Sequence, residues 1–476
     1  GDMITHQNPK KMKNKFDIII VGAGMAGATV AAYLGKQGKT IALVDRDFDY
    51  KDRIVAELLQ PGAVKMLETL GLKHCLEGFD AQPVYGYGLI KGEEMFSISY
   101  NDDGSKDKSG VGVNSGHFLQ NLRKEALSYQ NVQQIKGEVK RINEDESGKI
   151  EGVTYYDNEL ELEFNLEADL TIISDGFYSR FRQDFSNPEK EITSHFIGIV
   201  LKNCDLPFPN HGHVLMTSDT PSVCYPISSS EVRILVDFPS STPPRRGPQI
   251  YNYLKDNILP FLPAKMKPSF EAAMEEGKFK IMANHYMPAK PLIRKGAVLL
   301  GDALNMRHPL TGGGLTAIFA DIYLLSNHLL SLPNFKNADL VSTKVKVYYK
   351  ERHHANANVN ILANALYGVM SNQLLKEAVY EYLKKGGKNA QMPLKLLAGI
   401  ERDHKTLIRY FFGVAAFGST NLMVDKVTNV AKASKILYDA FNIIRPLIKN
   451  ELTLTSLFEE QPLKKYLEQP IQLITT

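Results

Sequence analysis

Apolar positions between residues 16 and 46 fall into two short strand-like runs around a glycine-rich turn and a longer small-residue segment, "FDIIIVGAGMAGATVAAYLGKQGKTIALVDRD". The unbroken run 18–21 suits a strand covered on both faces, as in a parallel sheet. The pattern predicts strand, tight turn, helix and strand. Within 110–142 it predicts a helix around "FLQNLRKEALSY" and then a further strand. "EADLTIISDGFYSRFR" (167–182) reads as a strand ending in a polar glycine turn. From 191 to 238, β-rich runs such as "HFIGIVLKN" and "VRILVDF" alternate with turn signals, which predicts a second, sheet-rich lobe. "SSTPPRRGP" (240–248) is a solvated loop. Beyond 314 the pattern is helical. In "KASKILYDAFNIIRPLIKN", Ile436, Leu437, Ala440, Phe441, Ile444, Leu447 and Ile448 share one face, while Lys432, Lys435, Arg445 and Lys449 fall elsewhere. Such a helix either packs on the core or lies in a membrane interface.

Length adds that 476 residues exceed one ordinary domain, so two or three lobes are expected. A net charge of +3 implies no polyanionic partner, and nucleic acid is not expected. Cys75, Cys204 and Cys224 show no metal-type spacing, which fits a reducing compartment without a disulfide framework. The start, "GDMITHQNPKKMKNK", is polar and basic and has no apolar core of a secretory signal. The late apolar stretch 407–418 is too short for a span and carries Arg409.

Two glycine clusters carry the chemistry. Gly22, Gly24 and Gly27 form G-x-G-x-x-G after the first strand. The first glycine permits the turn, the second lets a pyrophosphate approach, and the third lets helix pack on strand. Phosphates then sit at the helix N-terminus, and Asp45, ending the second strand, can accept ribose hydroxyls. This motif alone leaves FAD and NAD open. The second cluster, "LLGDALNMRHPLTGGGLTA", places Asp302 at a strand end and Gly312–Gly314 before a helix. Two bare helix starts fit a long cofactor held at both ends.

"DRIVAELLQPGAVKMLETLGL" (52–72), "SDGFYSRFR" (174–182), "GDALNMRHPLTGGGLTA" (301–317) and "VNILANALYGVMS" (359–371) resemble the squalene epoxidases, over about residues 15 to 420. The resemblance implies an α/β fold with a Rossmann-like FAD-binding domain of the p-hydroxybenzoate hydroxylase type (14–86, 110–190 and 278–345). It further implies a β-sheet substrate domain (87–109 and 191–277) and a C-terminal helical region (346–476) with possible membrane contact. It implies that Gly22, Gly24 and Gly27 cradle the FAD pyrophosphate, with Asp45 and Arg46 near the adenosine ribose and Arg53 reaching the cofactor. Asp175 and Gly176 would support the flavin and its diphosphate, Asp302 would bind its middle, and Pro309, Gly312, Gly313 and Gly314 would flank the ring. Tyr87 matches a substrate-pocket tyrosine, Gln60 the polar residue that orients it, and Glu57 lies in the same segment. The chain departs from the family at Ala56, where a glycine is usual, and in "NSGHF" (114–118), where His117 stands at a cofactor-holding arginine. His308 is read as ordering the flavin loop.

The implied reaction is epoxidation of squalene to (S)-2,3-oxidosqualene by O2 held on reduced flavin as a C4a-hydroperoxide, chemistry that belongs to the cofactor. Electrons would come from NADPH through a separate reductase, cytochrome P450 reductase in eukaryotes, at the endoplasmic reticulum membrane. A prenyl-lipid carrier, a flavin reductase of isoprenoid double bonds and an aromatic-hydroxylase type that takes hydride directly are the competing readings.

Overall fold

The computed structural model describes residues 14–216, 219–425 and 429–474, so residues 1–13 of the basic N-terminal segment lie outside the described residues. Strand Lys15–Val21 is buried from Ile18 onward because parallel neighbours, Ile41–Asp45 and Leu162–Ile173, flank it. That geometry is what the unbroken apolar run required. Val132–Lys136 extends the sheet beyond Ile41–Asp45, also parallel. Leu162–Ile173 changes partners along its length. Its first half pairs antiparallel with Ile150–Asp157, which continues to Glu138–Glu144, and its end pairs parallel with Ala297–Leu299.

Helix Met25–Lys36 follows the first strand through the glycine turn, and Ser115–Leu127 and Gly314–Leu330 pack beside it. Gly27 has no room for a side chain, since a Cβ there would stand 1.7 Å from the Gly22 carbonyl oxygen. Gly22 has φ +98°, a conformation open chiefly to glycine.

A second seven-stranded sheet runs in the order Lys280–Tyr286, Glu191–Lys202, Glu231–Phe238, Ser222–Pro226, Gly212–Leu215, Gly86–Lys91 and Glu94–Ser99. Strand 280–286 therefore belongs to this sheet, not to the third segment (278–345) expected for the FAD-type domain. Seven backbone-paired positions to strand 191–202 decide its membership, and such long-range pairing leaves no local signature. Helices Pro248–Asn257 and Lys267–Glu276 cover one face of the sheet. The other face packs against the C-terminal helices through Tyr87, Leu89, Tyr367, Met370, Tyr380 and Leu394.

The expected boundary at 345/346 falls inside one helix, Ala338–Met370. Asn337 caps its start, its side chain accepting from the Asp339 and Leu340 amides at 3.1 and 3.2 Å. Its early turns join the core of the first lobe through Tyr348 and Tyr349, and its last turns join the second through Tyr367 and Met370. Helices Gln373–Lys384 and Lys388–Leu397 follow, fastened to the 86–102 segment by Lys91–Glu377 (2.7 Å), Lys384–Glu94 (2.5 Å) and Lys395–Asp102 (3.1 Å).

His404–Asp425 and Val430–Glu451 form a hairpin. On the second helix Ile436, Ala440, Ile444 and Leu447 are buried, whereas Leu437 and Phe441 are 44 % and 48 % exposed. The predicted apolar face is thus split. Packing takes up the stripe spaced by fours, and the flank of that stripe faces outward. Among the described residues no helix is long and apolar enough to cross a membrane.

Candidate active site

A cavity of about 1000 Å³ opens along the carboxyl ends of the first sheet and runs beneath the second. Its lining includes Gly22, Gly24, Asp45 and Arg46, then Arg53, Glu57, Asp175, Gly176 and Asp302, and also Tyr87, Pro309, Gly312 and Gly314. Both helices that start in its wall begin at glycine. Gly24 caps Met25–Lys36 and Gly313 caps Gly314–Leu330, and neither start receives a side-chain cap. Their first-turn N–H groups are left for a ligand.

Several features fit an extended dinucleotide. A Cβ on Gly24 would meet nothing within 4 Å, so the turn has open space beside it. Asp175 Oδ1 is buried without a hydrogen-bond partner. Asp302 lines the cavity and accepts no hydrogen bond from the described residues. Burial raises both carboxyls, and for Asp302 the cations Arg307 and Arg182 pull the other way. Asp45 supports the loop itself: Oδ2 accepts from the Ala23 amide at 2.8 Å and Oδ1 from the Asp47 amide at 3.1 Å.

The glycines at 312–314 have separate reasons. Gly312 adopts φ +62°, a Cβ on Gly313 would stand 2.7 Å from Val359 of the long helix, and Gly314 opens beside the Arg307 guanidinium. Gly27 and Gly313 therefore serve packing and do not line the cavity. His308 orders the loop, its Nδ1 accepting from the Leu310 amide at 3.1 Å and its Nε2 facing Ser194 Oγ at 3.2 Å. Burial pushes this imidazole down to about 3, so it is neutral.

His117 is misplaced for the role assigned to it. It is exposed, packs against Tyr50 with ring centroids 4.7 Å apart and the planes tilted by 33°, and stands outside the cavity lining. The arginine that meets the glycine turn is Arg123, six residues later on the same helix, whose Nε donates to the Ala23 carbonyl at 2.8 Å. Arg182 does the same for the other loops, donating to Ala303 O at 2.7 Å and to the Gly176 and Phe177 carbonyls. Helical periodicity holds a trace of the first, since Arg123 adjoins the buried Leu119–Leu122–Ala126 stripe.

Glu57 is buried against Arg233, with Nε–Oε1 at 2.9 Å and Nη2–Oε2 at 3.1 Å, and accepts from Tyr225 Oη at 3.0 Å. Burial raises its carboxyl and Arg233 draws it back. Ala56, just before it, has φ +59°, the conformation the family's glycine would suit.

Gln60 is a hub without cavity exposure. Its Nε2 donates to Tyr87 Oη at 3.0 Å and to the Thr311 carbonyl at 2.9 Å, and its Oε1 accepts from Tyr100 Oη at 2.6 Å. The Tyr87 oxygen is thereby an acceptor, and its own O–H has no acceptor among the described residues. Burial pushes this phenol up to about 12, so it stays protonated at neutral pH.

Tyr87, Val223 and Leu310 also line a second cavity of about 170 Å³, between the second sheet and the C-terminal helices. Its other walls include Leu89, Leu366, Met370, Leu394, Phe411 and Ala415, and among the described residues Tyr87 and Tyr410 bring its side-chain hydroxyls. These walls come from remote segments, so the sequence offered no sign of it.

The fold, with its paired glycine loops, is one shared by FAD-dependent monooxygenases and halogenases. The Rossmann-like NAD(P)-binding domain profile matches residues 20–49. The solved structure of PqsL, a probable FAD-dependent monooxygenase from Pseudomonas aeruginosa, superposes with a TM-score of 0.63 at 19 % identity, covering 77 % of this chain and all of that one. More narrowly, the squalene epoxidase family profile matches residues 167–453. Squalene epoxidase 2, mitochondrial, of Arabidopsis thaliana is 39 % identical over 95 % of this chain and 78 % of its own length. Squalene epoxidase erg1 of Schizosaccharomyces pombe is 33 % identical over 92 % and 98 %. The chain belongs to the squalene epoxidase family.

Proposed function

We propose that this chain holds FAD along the larger cavity and epoxidises squalene with O2 in sterol biosynthesis. The observation that carries the reading is the meeting of a glycine-flanked cavity bearing charged side chains with an apolar one at Tyr87, Val223 and Leu310. Gly22 and Gly24 would receive the pyrophosphate, Asp45 and Arg46 the adenosine ribose, and Arg53, Asp175, Gly176 and Asp302 the middle. Pro309, Gly312 and Gly314 would face the ring. FAD, when bound and reduced, supplies the electrons that activate O2.

The protein's own contribution is positioning and dryness. The terminal double bond would lie by Tyr87 and Leu310, where apolar side chains exclude water. One oxygen atom joins the alkene, and the other leaves as water with two electrons and two protons. A hydrocarbon offers Tyr87 no acceptor, whereas the oxygen arriving on it does. The Tyr87 O–H, held by Gln60, therefore strengthens its interaction as the oxygen is transferred. A neutral phenol donates here and does not abstract a proton.

Electrons would come from NADPH through a separate reductase such as cytochrome P450 reductase, at an endoplasmic reticulum membrane contacted by the outward residues Leu437, Tyr438 and Phe441. Aerobic incubation with squalene, FAD, NADPH and reductase, followed by product mass analysis, tests this. A gain of one oxygen is expected, and a gain of two hydrogens overturns it. NADPH without reductase should leave the flavin oxidised, and rapid bleaching would point to the aromatic-hydroxylase type.

A further inference from the structure

Arg307, in the loop before the second glycine cluster, is 4 % exposed and lines the larger cavity. Its Nε donates to Asn360 Oδ1 at 2.6 Å, and its Nη2 to Asn305 Oδ1 at 3.0 Å and Asn305 O at 3.3 Å. Nη1 has no acceptor among the described residues, and a Cβ on Gly314 would stand 3.8 Å from it. An unpartnered N–H group at the tip of a buried side chain thus faces the cavity beside the uncapped first turn of Gly314–Leu330. Cation and helix start together form a receptor for negative charge facing the cavity.

The buried acids behind Arg307 are engaged elsewhere. Asp321 accepts from Arg352 at 3.0 and 3.2 Å and from Asn356 at 2.7 Å. Glu451, the last residue of the C-terminal hairpin and 1 % exposed, accepts from Tyr286 Oη at 2.8 Å and from Asn360 Nδ2 at 3.2 Å. Asn360 therefore touches Arg307 through its oxygen and Glu451 through its nitrogen. Asp302 is the acid on the cavity side.

We propose that Arg307 is the cation against which the cofactor ring places the negative charge it gains on reduction, and that Glu451, through Asn360, moderates that attraction. The inference rests on the larger cavity being the flavin site. Two electrons from the external reductase and one proton taken up from solvent would leave the ring with one negative charge. A fixed cation in a water-poor wall favours that form, and a nearby buried anion opposes it. Arg307 acts on the cofactor, and Glu451 is a positioning residue.

Spectroelectrochemical titration of the FAD-loaded protein tests this, with flavin content and circular dichroism checked for each variant. Arg307→Met should lower the midpoint, cutting the reduced-to-oxidised ratio at fixed potential about tenfold or more, ~30 mV for a two-electron couple. Arg307→Lys should recover part of it. Glu451→Gln keeps the shape and removes an anion, so its midpoint should rise. Opposite shifts are an outcome that a merely structural role does not produce. An unchanged or lowered midpoint in Glu451→Gln overturns the proposal, as does an unchanged midpoint in Arg307→Met. If Arg307→Met fails to fold or hold FAD, Arg307→Lys and Glu451→Gln decide by the same signs. Wild-type protein that binds no FAD would instead overturn the flavin reading itself.

Discussion

Replacing Gln60 by glutamate exchanges one nitrogen for oxygen at a fully buried hub. The Tyr100 hydroxyl can still donate to the oxygen that takes the place of Oε1, as it does at 2.6 Å. The other side-chain atom now donates to neither Tyr87 nor the Thr311 carbonyl, which stand 3.0 and 2.9 Å away. Tyr87, protonated because burial pushes it up to about 12, turns its hydrogen onto the new carboxylate and withdraws it from the cavity. One hydrogen bond of about 0.5–1.5 kcal/mol is thereby lost from the transition state. At about 1.36 kcal/mol per tenfold, kcat/KM should fall about two- to tenfold.

The unpaired Thr311 carbonyl adds about 1–3 kcal/mol of lost stability. Tyr87→Phe removes the same O–H and should slow epoxidation with normal flavin content. The double variant should be no slower than the slower single one, because both changes remove one interaction. Burial raises the introduced carboxyl at position 60 above its unfolded value of about 4.3. The variant's stability deficit should therefore be smallest below that value and grow as pH rises through the folded pKa. Its activity should recover toward low pH, as the protonated acid again supplies a donor. Multiplying losses in the double variant, or unchanged turnover in Tyr87→Phe, would refute the orientation argument and leave Tyr87 a packing role.

Asp302→Ala should abolish FAD retention while circular dichroism stays native, and a normal flavin spectrum would show the carboxylate is not a cofactor ligand. Arg233→Met strands the Glu57 carboxylate and should cost about 3–5 kcal/mol in denaturant titrations at about pH 8. Because the Glu57 pKa then rises further above its unfolded value, the loss should shrink as pH falls, and Glu57→Met in the same chain should restore most of it. Ala56→Gly relieves a left-handed alanine by about 1–2 kcal/mol against roughly 0.5–1 kcal/mol of added backbone entropy. The melting temperature should rise slightly, and a fall would mean Ala56 is unstrained.

What was legible in the sequence was local. Gly22, Gly24 and Asp302 could be read as cavity-lining because strand, turn and helix start lie within a few residues of one another, and Asp45 because it ends the next strand. At Ala56, where the family's glycine is usual, the chain adopts the positive φ that a glycine would serve. What was missed depends on contacts distant in sequence. Arg123 reads as one more polar residue in a charged helix, and only packing turns it onto the Ala23 carbonyl. The lobe to which 280–286 belongs is decided by pairing with a strand some ninety residues earlier. The apolar cavity joins strands near 87 and 223 to helices between 362 and 440.

The Ala338–Met370 helix, about 50 Å long at 1.5 Å per residue, is rooted in the cores of both lobes. It acts as a strut, so the molecule cannot open like a clam at a hinge between them. Yet a cavity of about 150 Å³ holds only benzene, and the 170 Å³ found here has room for a fraction of a triterpene. Something must yield, and the cavity walls held partly by exposed charge are the short helices Gln373–Lys384 and Lys388–Leu397. Their fastenings to the sheet include three half-exposed ion pairs, each worth at most about 1 kcal/mol and weakened by salt. Admission of the hydrocarbon is then a latch problem, and its rate should quicken with ionic strength while the chemistry behind it does not.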